Sequence, residues 1–250
     1  MYASYSSRAW AATPSTSHSS GARCGRAPGR RPPRSRSTAR PSTATSPGCR
    51  APRCTQPAIS RFRAATAPEH PFPAPLDDVR AALGWAIDHA DAIGARRVGA
   101  VGDSSGGNLV AAAARHVDGL ALQALIYPAL DLARPLVPVD DPDGIVKPGG
   151  GDAVREAYLS GADPTDPDVS PLLAADLAGL PRTVVCVAEY DALGPQGHEY
   201  AERLAAAGVP VTVVDAHGLD HAFFAWGTFA KRPAEAIAEF GEAVRSALAA

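Results

Sequence analysis

The sequence predicts an α/β fold, a mostly parallel sheet flanked by helices, and three observations predict it. Short apolar runs suited to buried strands recur at "RRVGAV" (96–101), "LALQALIYP" (120–128), "TVVCVAEY" (183–190) and "VPVTVVDA" (209–216). Helical stretches alternate with them. The strands lack the polar face that a one-sided antiparallel sheet would show, which is the mark of parallel βαβ units covered on both faces.

In chain order, "LDDVRAALGWAIDHADAIGA" (76–95) places apolar residues at helical spacing. Asp77 and Asp78 fall in its first turn, where the helix dipole favours anions. The strand 96–101 follows, then "GNLVAAAARHV" (107–117), a helix rich in small residues, and the strand 120–128. A loop-rich stretch of roughly 131–180, centred on "DDPDGIVKPGGGD", leads to the strand 183–190. The helix "GHEYAERLAAAG" (197–208), the strand 209–216 and the amphipathic "PAEAIAEFGEAVRSALAA" (233–250) complete the chain. No internal repeat is visible.

A formal net charge of −2 conceals two unlike parts. Residues 1–65 hold twelve Arg, twelve Ser and eight Pro but no Asp, Glu or Lys, a charge of +12, which leaves −14 for residues 66–250. The first part is low-complexity and has too little apolar surface to offset its ordering entropy, so it is expected to be disordered and to offer no strand. The ordered unit is expected over 66–250. No apolar stretch of signal-peptide length follows Met1, although the Arg/Ser-rich, acid-poor bias is shared with organellar transit peptides. No segment reaches the roughly 20 apolar residues of a membrane span, and a cytoplasmic protein is expected. Clustered arginine neutralises phosphates, but no nucleic-acid module accompanies it, so no nucleic-acid partner is expected. Cys24, Cys49 and Cys54 lack a paired Cys or His, which argues against a metal site. Cys186 sits in an apolar run and reads as an inert core thiol.

In such sheets chemistry collects at the carboxyl ends of the strands. Gly102-Asp103-Ser104-Ser105-Gly106-Gly107 is a Gly-x-Ser-x-Gly pattern between a strand and a helix, the context of a nucleophile elbow. Glycines at 102 and 106 avoid Cβ clashes in the strained turn, and Gly107 lets the helix start close to the sheet. A serine hydroxyl needs a positioned base, itself oriented by an acid. Asp191 follows the strand 183–190, and His221 follows the strand 209–216 by a short loop. Glu189 competes as acid but falls inside its strand, and His217 competes as base. His18, His70, His89, His116 and His198 lie in the tail, a Pro-rich loop or helices and read as structural.

The stretches "APEHPFPAPLDDV", "GDSSGGNL", "SPLLAADLAGLP", "VAEYDALG", "YAERLAAAGVPVTV" and "GLDHAFF" resemble, in order and spacing, the bacterial hormone-sensitive-lipase-like esterases of the α/β-hydrolase fold. The resemblance runs from about Ala67 to the C-terminus. It implies Ser104 as nucleophile, Asp191 as acid and His221 as base, the last because the family pattern Gly-x-x-His-x-Phe falls on Gly218 to Phe223. It further implies hydrolysis of short-chain carboxylic esters through an acyl-enzyme, a small-molecule ester substrate and no cofactor. Amidase or deacetylase chemistry uses the same three residues and stays open, as does oligomeric state.

Two departures stand out. At the acid the family reads Asp-Pro-Leu-Arg-Asp-Glu, whereas residues 191–196 are Asp-Ala-Leu-Gly-Pro-Gln. The family also carries a His-Gly-Gly-Gly loop, whose N–H groups supply most of the oxyanion hole. It should fall near residues 31–34, which are Arg-Pro-Pro-Arg, and no His-Gly-Gly-Gly occurs in these 250 residues. The N–H of Ser105 remains as an oxyanion donor. Losing one such donor costs roughly 10²–10³ in rate, so impaired activity, or a non-catalytic hydrolase, is the alternative expectation. The strand 96–101 is also expected to leave an apolar edge. The abrupt onset of family-like sequence beside an acid-free tail suggests an out-of-frame reading of GC-rich DNA. Translating the other two frames tests this, with His-Gly-Gly-Gly and its flanking strands as the expected result.

Overall fold

The computed structural model describes residues 64–136, 139 and 151–250, together with the backbone of two short strands nearer the N-terminus. Those are β1 (Ser7–Ala11) and β2 (Ile59–Phe62). The helix α1 (Ala74–Asp88) leads to β3 (Val98–Asp103), α2 (Ser105–Ala114) and β4 (Leu120–Ile126). After α3 (Gly151–Leu159) come β5 (Arg182–Tyr190), α4 (Gly194–Ala206), β6 (Val211–Asp220) and α5 (Lys231–Ala249).

The sheet order is β2-β1-β3-β4-β5-β6, with β3 to β6 parallel and β1 antiparallel to both of its neighbours. Side-chain alternation along the parallel strands divides the core into two layers. Val185 and Val187 of β5, with Leu125 of β4, pack towards α1, α2 and α4 against Leu76, Val79, Leu109, Val110, Tyr200 and Leu204. Leu122, Ala124 and Ile126 of β4, with Val184 and Cys186 of β5, face α5 and meet Phe240, Val244 and Leu248. This three-layer arrangement explains the near-continuous apolar runs of β3, β4 and β5, which are buried on both faces, whereas β6 is half-exposed. Cys186 is fully buried, and burial pushes its thiol up to about 12, followed in effect by Glu239 and Asp215. It is protonated and unreactive, as its apolar surroundings predict.

The four apolar runs are β3 to β6. Their boundaries shift by a few residues, and three shifts matter for the site. The helix α2 starts at Ser105 rather than Gly107, α4 starts at Gly194 rather than Gly197, and β6 runs to Asp220 rather than Ala216. The stretch 131–180 is less irregular than its composition suggests, since it contains α3 and a short 3-10 helix, Pro171–Leu173. Only Leu159 of α3 is buried, so the apolar periodicity that would announce that helix is weak.

The reading of residues 1–65 as strandless is corrected at nine positions. The edge of β3 presents a row of N–H and C=O groups that must be paired or solvated. Ser7–Ala11 pairs with it, from Ser7 opposite Gly102 to Ala11 opposite Val98, and Ile59–Phe62 pairs in turn with Ser7–Trp10. The expected open edge at β3 is therefore covered. Backbone pairing of this kind needs no apolar alternation, which is why composition missed it. The disorder expected for the rest of this segment, and Arg-Pro-Pro-Arg at 31–34, lie outside the described residues, as does most of "DDPDGIVKPGGGD".

The loop before the 3-10 helix is tied to two helices. Asp168 accepts from Arg80 Nη2 at 2.6 Å, Arg115 Nη1 at 2.7 Å and His116 Nε2 at 2.6 Å, which binds the loop before the 3-10 helix to α1 and to the end of α2. Among the described residues no helix is long and apolar enough to cross a membrane.

Candidate active site

The strand β3 ends in Gly102-Asp103, and the chain turns at Ser104 directly into α2. Ser104 has φ 53° and ψ −118°, a conformation that costs a non-glycine residue of order 1–3 kcal/mol and persists only where the surroundings enforce it. They do so here. The Ser104 N–H donates to Ile126 O at 2.9 Å, and Ser104 O accepts from Asn108 N at 3.2 Å and Ala129 N at 3.3 Å. A Cβ on Gly102 would stand 2.2 Å from Gly106 O, and one on Gly107 would stand 2.8 Å from Pro128 Cβ. Glycine is required at both, in agreement with the sequence argument, although Gly107 faces the β4 exit loop.

From this turn the Ser104 hydroxyl reaches His221 Nε2, 2.9 Å away. His221 lies just past the end of β6, and its Nδ1 is 2.7 Å from Asp191 Oδ2. Asp191 begins the loop between β5 and α4; its side chain is 4% exposed, against 29% for His221. Its other oxygen, Oδ1, accepts from Leu193 N at 2.9 Å. An ionised carboxylate only accepts, so Nδ1 carries the imidazole proton and Nε2 is left as the acceptor of the Ser104 hydroxyl. Three residues from three strand ends thus form one directed series of hydrogen bonds. A base aimed at a hydroxyl and held in one tautomer by a buried acid is equipped to draw off that proton as the oxygen attacks an electrophile.

The competing residues pair with each other. Glu189 Oε2 lies 3.6 Å from His217 Nδ1 and accepts from Gly218 N at 2.6 Å. That bond fastens the β6 end, where Gly218 has φ +72°, three residues before His221. Other histidines have structural contacts: His116 with Asp168, His198 with Asp215 at 3.2 Å, and His89 stacked on Trp85.

Ser105 opens α2, and its N–H is among those that helix geometry leaves without an intrahelical acceptor. The helix dipole adds partial positive charge at the same end. This N-terminus opens directly beside Ser104. Among the described residues no group of three or more His, Cys, Asp or Glu is arranged to hold a metal ion.

One residue at the site escaped the sequence reading, which ran the strand 120–128 straight through it. Tyr127 has φ 36°, donates its N–H to Cys186 O at 2.8 Å, and holds its ring 4.8 Å from the His221 imidazole, tilted by 58°. Phe223 and Phe224 pack on the same ring at 5.5 and 6.0 Å. Burial, then the nearby Asp103, raise its phenol well above the ordinary tyrosine value, so it stays neutral. The available signal was position: Tyr127 directly follows β4, the strand beside β3, level with the elbow.

A family profile described as alpha/beta hydrolase fold matches residues 61–225. The chain belongs to the α/β-hydrolase fold family. Within it, the hormone-sensitive-lipase-like resemblance read from the motifs is borne out by the relatives. The carboxylesterase NlhH of Mycobacterium tuberculosis is 36% identical over 201 residues, covering 73% of this chain and 61% of NlhH. The carboxylic ester hydrolase LipN of the same organism is 39% identical over 179 residues, covering 63% of this chain and 46% of LipN. This α/β-hydrolase chain therefore spans roughly half to three-fifths of the length of these curated relatives. Among solved structures, an esterase of Pyrobaculum calidifontis superposes with a TM-score of 0.66 at 31% identity, over 76% of this chain and 66% of that one. The carboxylesterase EstE1, cloned from a metagenomic library, gives 0.64 at 31% identity, over 77% and 69%.

Proposed function

We propose that the protein hydrolyses short-chain carboxylic esters through an acyl-enzyme on Ser104. The single observation that carries this reading is the hydrogen-bonded series Ser104–His221–Asp191, at 2.9 and 2.7 Å. The carboxylesterase names of the relatives support ester rather than amide substrates.

In this reading Ser104 Oγ attacks the ester carbonyl carbon as its proton passes to His221 Nε2. Asp191 stabilises the imidazolium without taking its proton. The tetrahedral oxyanion is held by the Ser105 N–H and the α2 N-terminus. His221 returns the proton to the departing alkoxide, the C–O bond breaks, and the alcohol leaves with the acyl group on Ser104. A water, deprotonated by the same imidazole, releases the carboxylic acid and restores the serine. No cofactor enters any step.

The rate depends on how many donors face the oxyanion. These 250 residues contain no His-Gly-Gly-Gly, and the donor in this reading is Ser105, at the start of α2. With each such donor worth roughly 10²–10³ in rate, turnover well below that of a hydrolase carrying the loop is expected. This same feature favours a second reading, a hydrolase fold that binds esters without turning them over.

The test is hydrolysis of p-nitrophenyl acetate and butyrate, with and without Ser104→Ala, alongside labelling by a fluorophosphonate. Activity and labelling that both vanish in Ser104→Ala support the proposal. Labelling without turnover favours the non-catalytic reading. Hydrolysis that survives Ser104→Ala removes Ser104 from the mechanism.

A further inference from the structure

The segment that leaves β4, Ala129 to Asp131, lies between the helix that starts beside Ser104 and the helix that starts beside Asp191. A side-chain carboxamide from each helix grips its backbone. From α4, Gln196 accepts at Oε1 from Leu130 N at 2.8 Å and Asp131 N at 2.9 Å, and donates from Nε2 to Asp131 O at 3.1 Å. From α2, Asn108 donates from Nδ2 to Ala129 O and to Val169 O, both at 2.8 Å. Both side chains are buried, Gln196 at 7% and Asn108 at 3% exposure. The Gln196 amide has one sensible orientation, because reversing it would aim its NH₂ at two N–H donors.

Both ends of the grip lead to the site. Ala129 donates its N–H to Ser104 O at 3.3 Å. Gln196 stands five residues after Asp191, in the first turn of α4, and its N–H bonds Leu193 O at 3.1 Å. Leu193 is the residue whose N–H holds Asp191 Oδ1. A continuous path of hydrogen bonds and short backbone links therefore runs from the Asp191 carboxylate through Leu193, Gln196 and residues 131–129 to the Ser104 carbonyl. The Asp131 carboxylate stiffens the middle of it, accepting from Ala133 N at 2.9 Å and from the Arg134 guanidinium, which continues to Glu199 of α4 at 3.0 Å.

We propose that Gln196 is a positioning residue that sets the spacing between the Ser104 and Asp191 loops, and through it the alignment of His221. This deepens the reading above and rests on it. A carboxamide suits the task because it takes two N–H donors and gives one proton to a carbonyl at once. Methionine has similar length and volume but can do neither. Glutamate retains the double acceptor and loses the donated bond.

The experiment compares wild type, Gln196→Glu and Gln196→Met by two readouts. One is the strongly downfield proton NMR resonance of His221 Nδ1–H bonded to Asp191, which needs no turnover. The other is kcat and KM on p-nitrophenyl butyrate. In Gln196→Met the resonance is expected to shift or vanish, and kcat to fall by about ten- to a hundredfold with little change in KM, the scale of an ångström-level misplacement. Gln196→Glu is expected to hold the resonance and stay within about threefold of wild-type kcat. A folded Gln196→Met with the wild-type resonance overturns the proposal, since a structural residue would lower only the melting temperature. A Gln196→Glu variant that loses the resonance overturns it too, even if Gln196→Met fails to fold. If the wild type itself lacks the resonance, the hydrolase reading fails and takes this proposal with it. Wild type with the resonance but no turnover leaves the spacing role decided by the NMR comparison alone.

Discussion

The ring of Tyr127 lies 4.8 Å from the imidazole of His221, while the carbonyl of the preceding residue, Ile126, accepts the Ser104 N–H at 2.9 Å. One dipeptide at the end of β4 therefore contacts the candidate nucleophile through its backbone and the candidate base through a side chain. The ring packs against the imidazole, and Phe223 and Phe224 pack on the same ring. Tyr127→Phe keeps the ring and its aromatic contacts, so kcat should be nearly unchanged and stability should shift by less than about 1 kcal/mol. Tyr127→Leu removes the aromatic contacts to His221, Phe223 and Phe224, each worth about 0.5–1.5 kcal/mol beyond area. It should lower kcat clearly more than Tyr127→Phe does. Ester kinetics beside urea denaturation of both variants checks the split.

Asp191→Asn should leave the fold intact and still nearly abolish turnover. The buried carboxylate accepts from His221 Nδ1 and Leu193 N. An amide there can turn its NH₂ towards the imidazole and stabilise the tautomer with the proton on Nε2, which can no longer accept from Ser104. A loss of roughly 10⁴ in kcat is expected on that ground. Stopped-flow or overnight endpoint assays with p-nitrophenyl butyrate cover the range. A loss below about tenfold would show that Asp191 does not orient the base.

What could be read from the sequence, and what could not, divides by the range of the interaction. The strands β3 to β5 were legible because burial on both faces leaves uninterrupted apolar runs such as "TVVCVAEY", while the half-exposed edge strand β6 was legible from its β-branched run. Ser104, Asp191 and His221 were legible because a parallel sheet gathers the ends of its strands, so order along the chain implies nearness in space. The grip of Gln196 was not legible, since its partners Leu130 and Asp131 lie 66 and 65 residues away and are backbone atoms. Pairing of Ser7–Ala11 with β3 was hidden for the same reason. The sequence reading of Glu189 was half complete: its place in the strand explained why it does not serve His221, but not that it holds Gly218 N.

The elbow can be tested with two glycines of opposite expectation. At Gly102 an added Cβ meets Gly106 O at 2.2 Å and Gly107 N at 2.8 Å, all backbone that cannot move without opening the turn. Gly102→Ala should destabilise by more than about 3 kcal/mol or prevent folding. At Gly84, inside α1, nothing lies within 4 Å of the added Cβ. Gly84→Ala should instead stabilise by about 0.5–1 kcal/mol, through helix propensity and reduced unfolded-state entropy. Thermal melts of the two variants should move in opposite directions.

The Asp168 cluster predicts a stability that depends on pH. Burial alone would raise this carboxyl, but hydrogen bonds from His116 and Arg80, and the charges behind them, hold it below the ordinary carboxylate range. A group depressed in the folded state contributes stability above its unfolded value, and the contribution is lost as pH falls through the folded one. Wild type should therefore exceed Asp168→Asn in stability at neutral pH, and the gap should close on acidification below about pH 4. The gap at pH 7 should be about 1–2 kcal/mol, because partial exposure screens the ion pairs while Arg80 and Arg115 lose a shared acceptor. Urea denaturation across that pH range measures it. A gap that stays constant from neutral to acid pH would mean that the carboxylate's charge is not what ties the loop to α1 and α2.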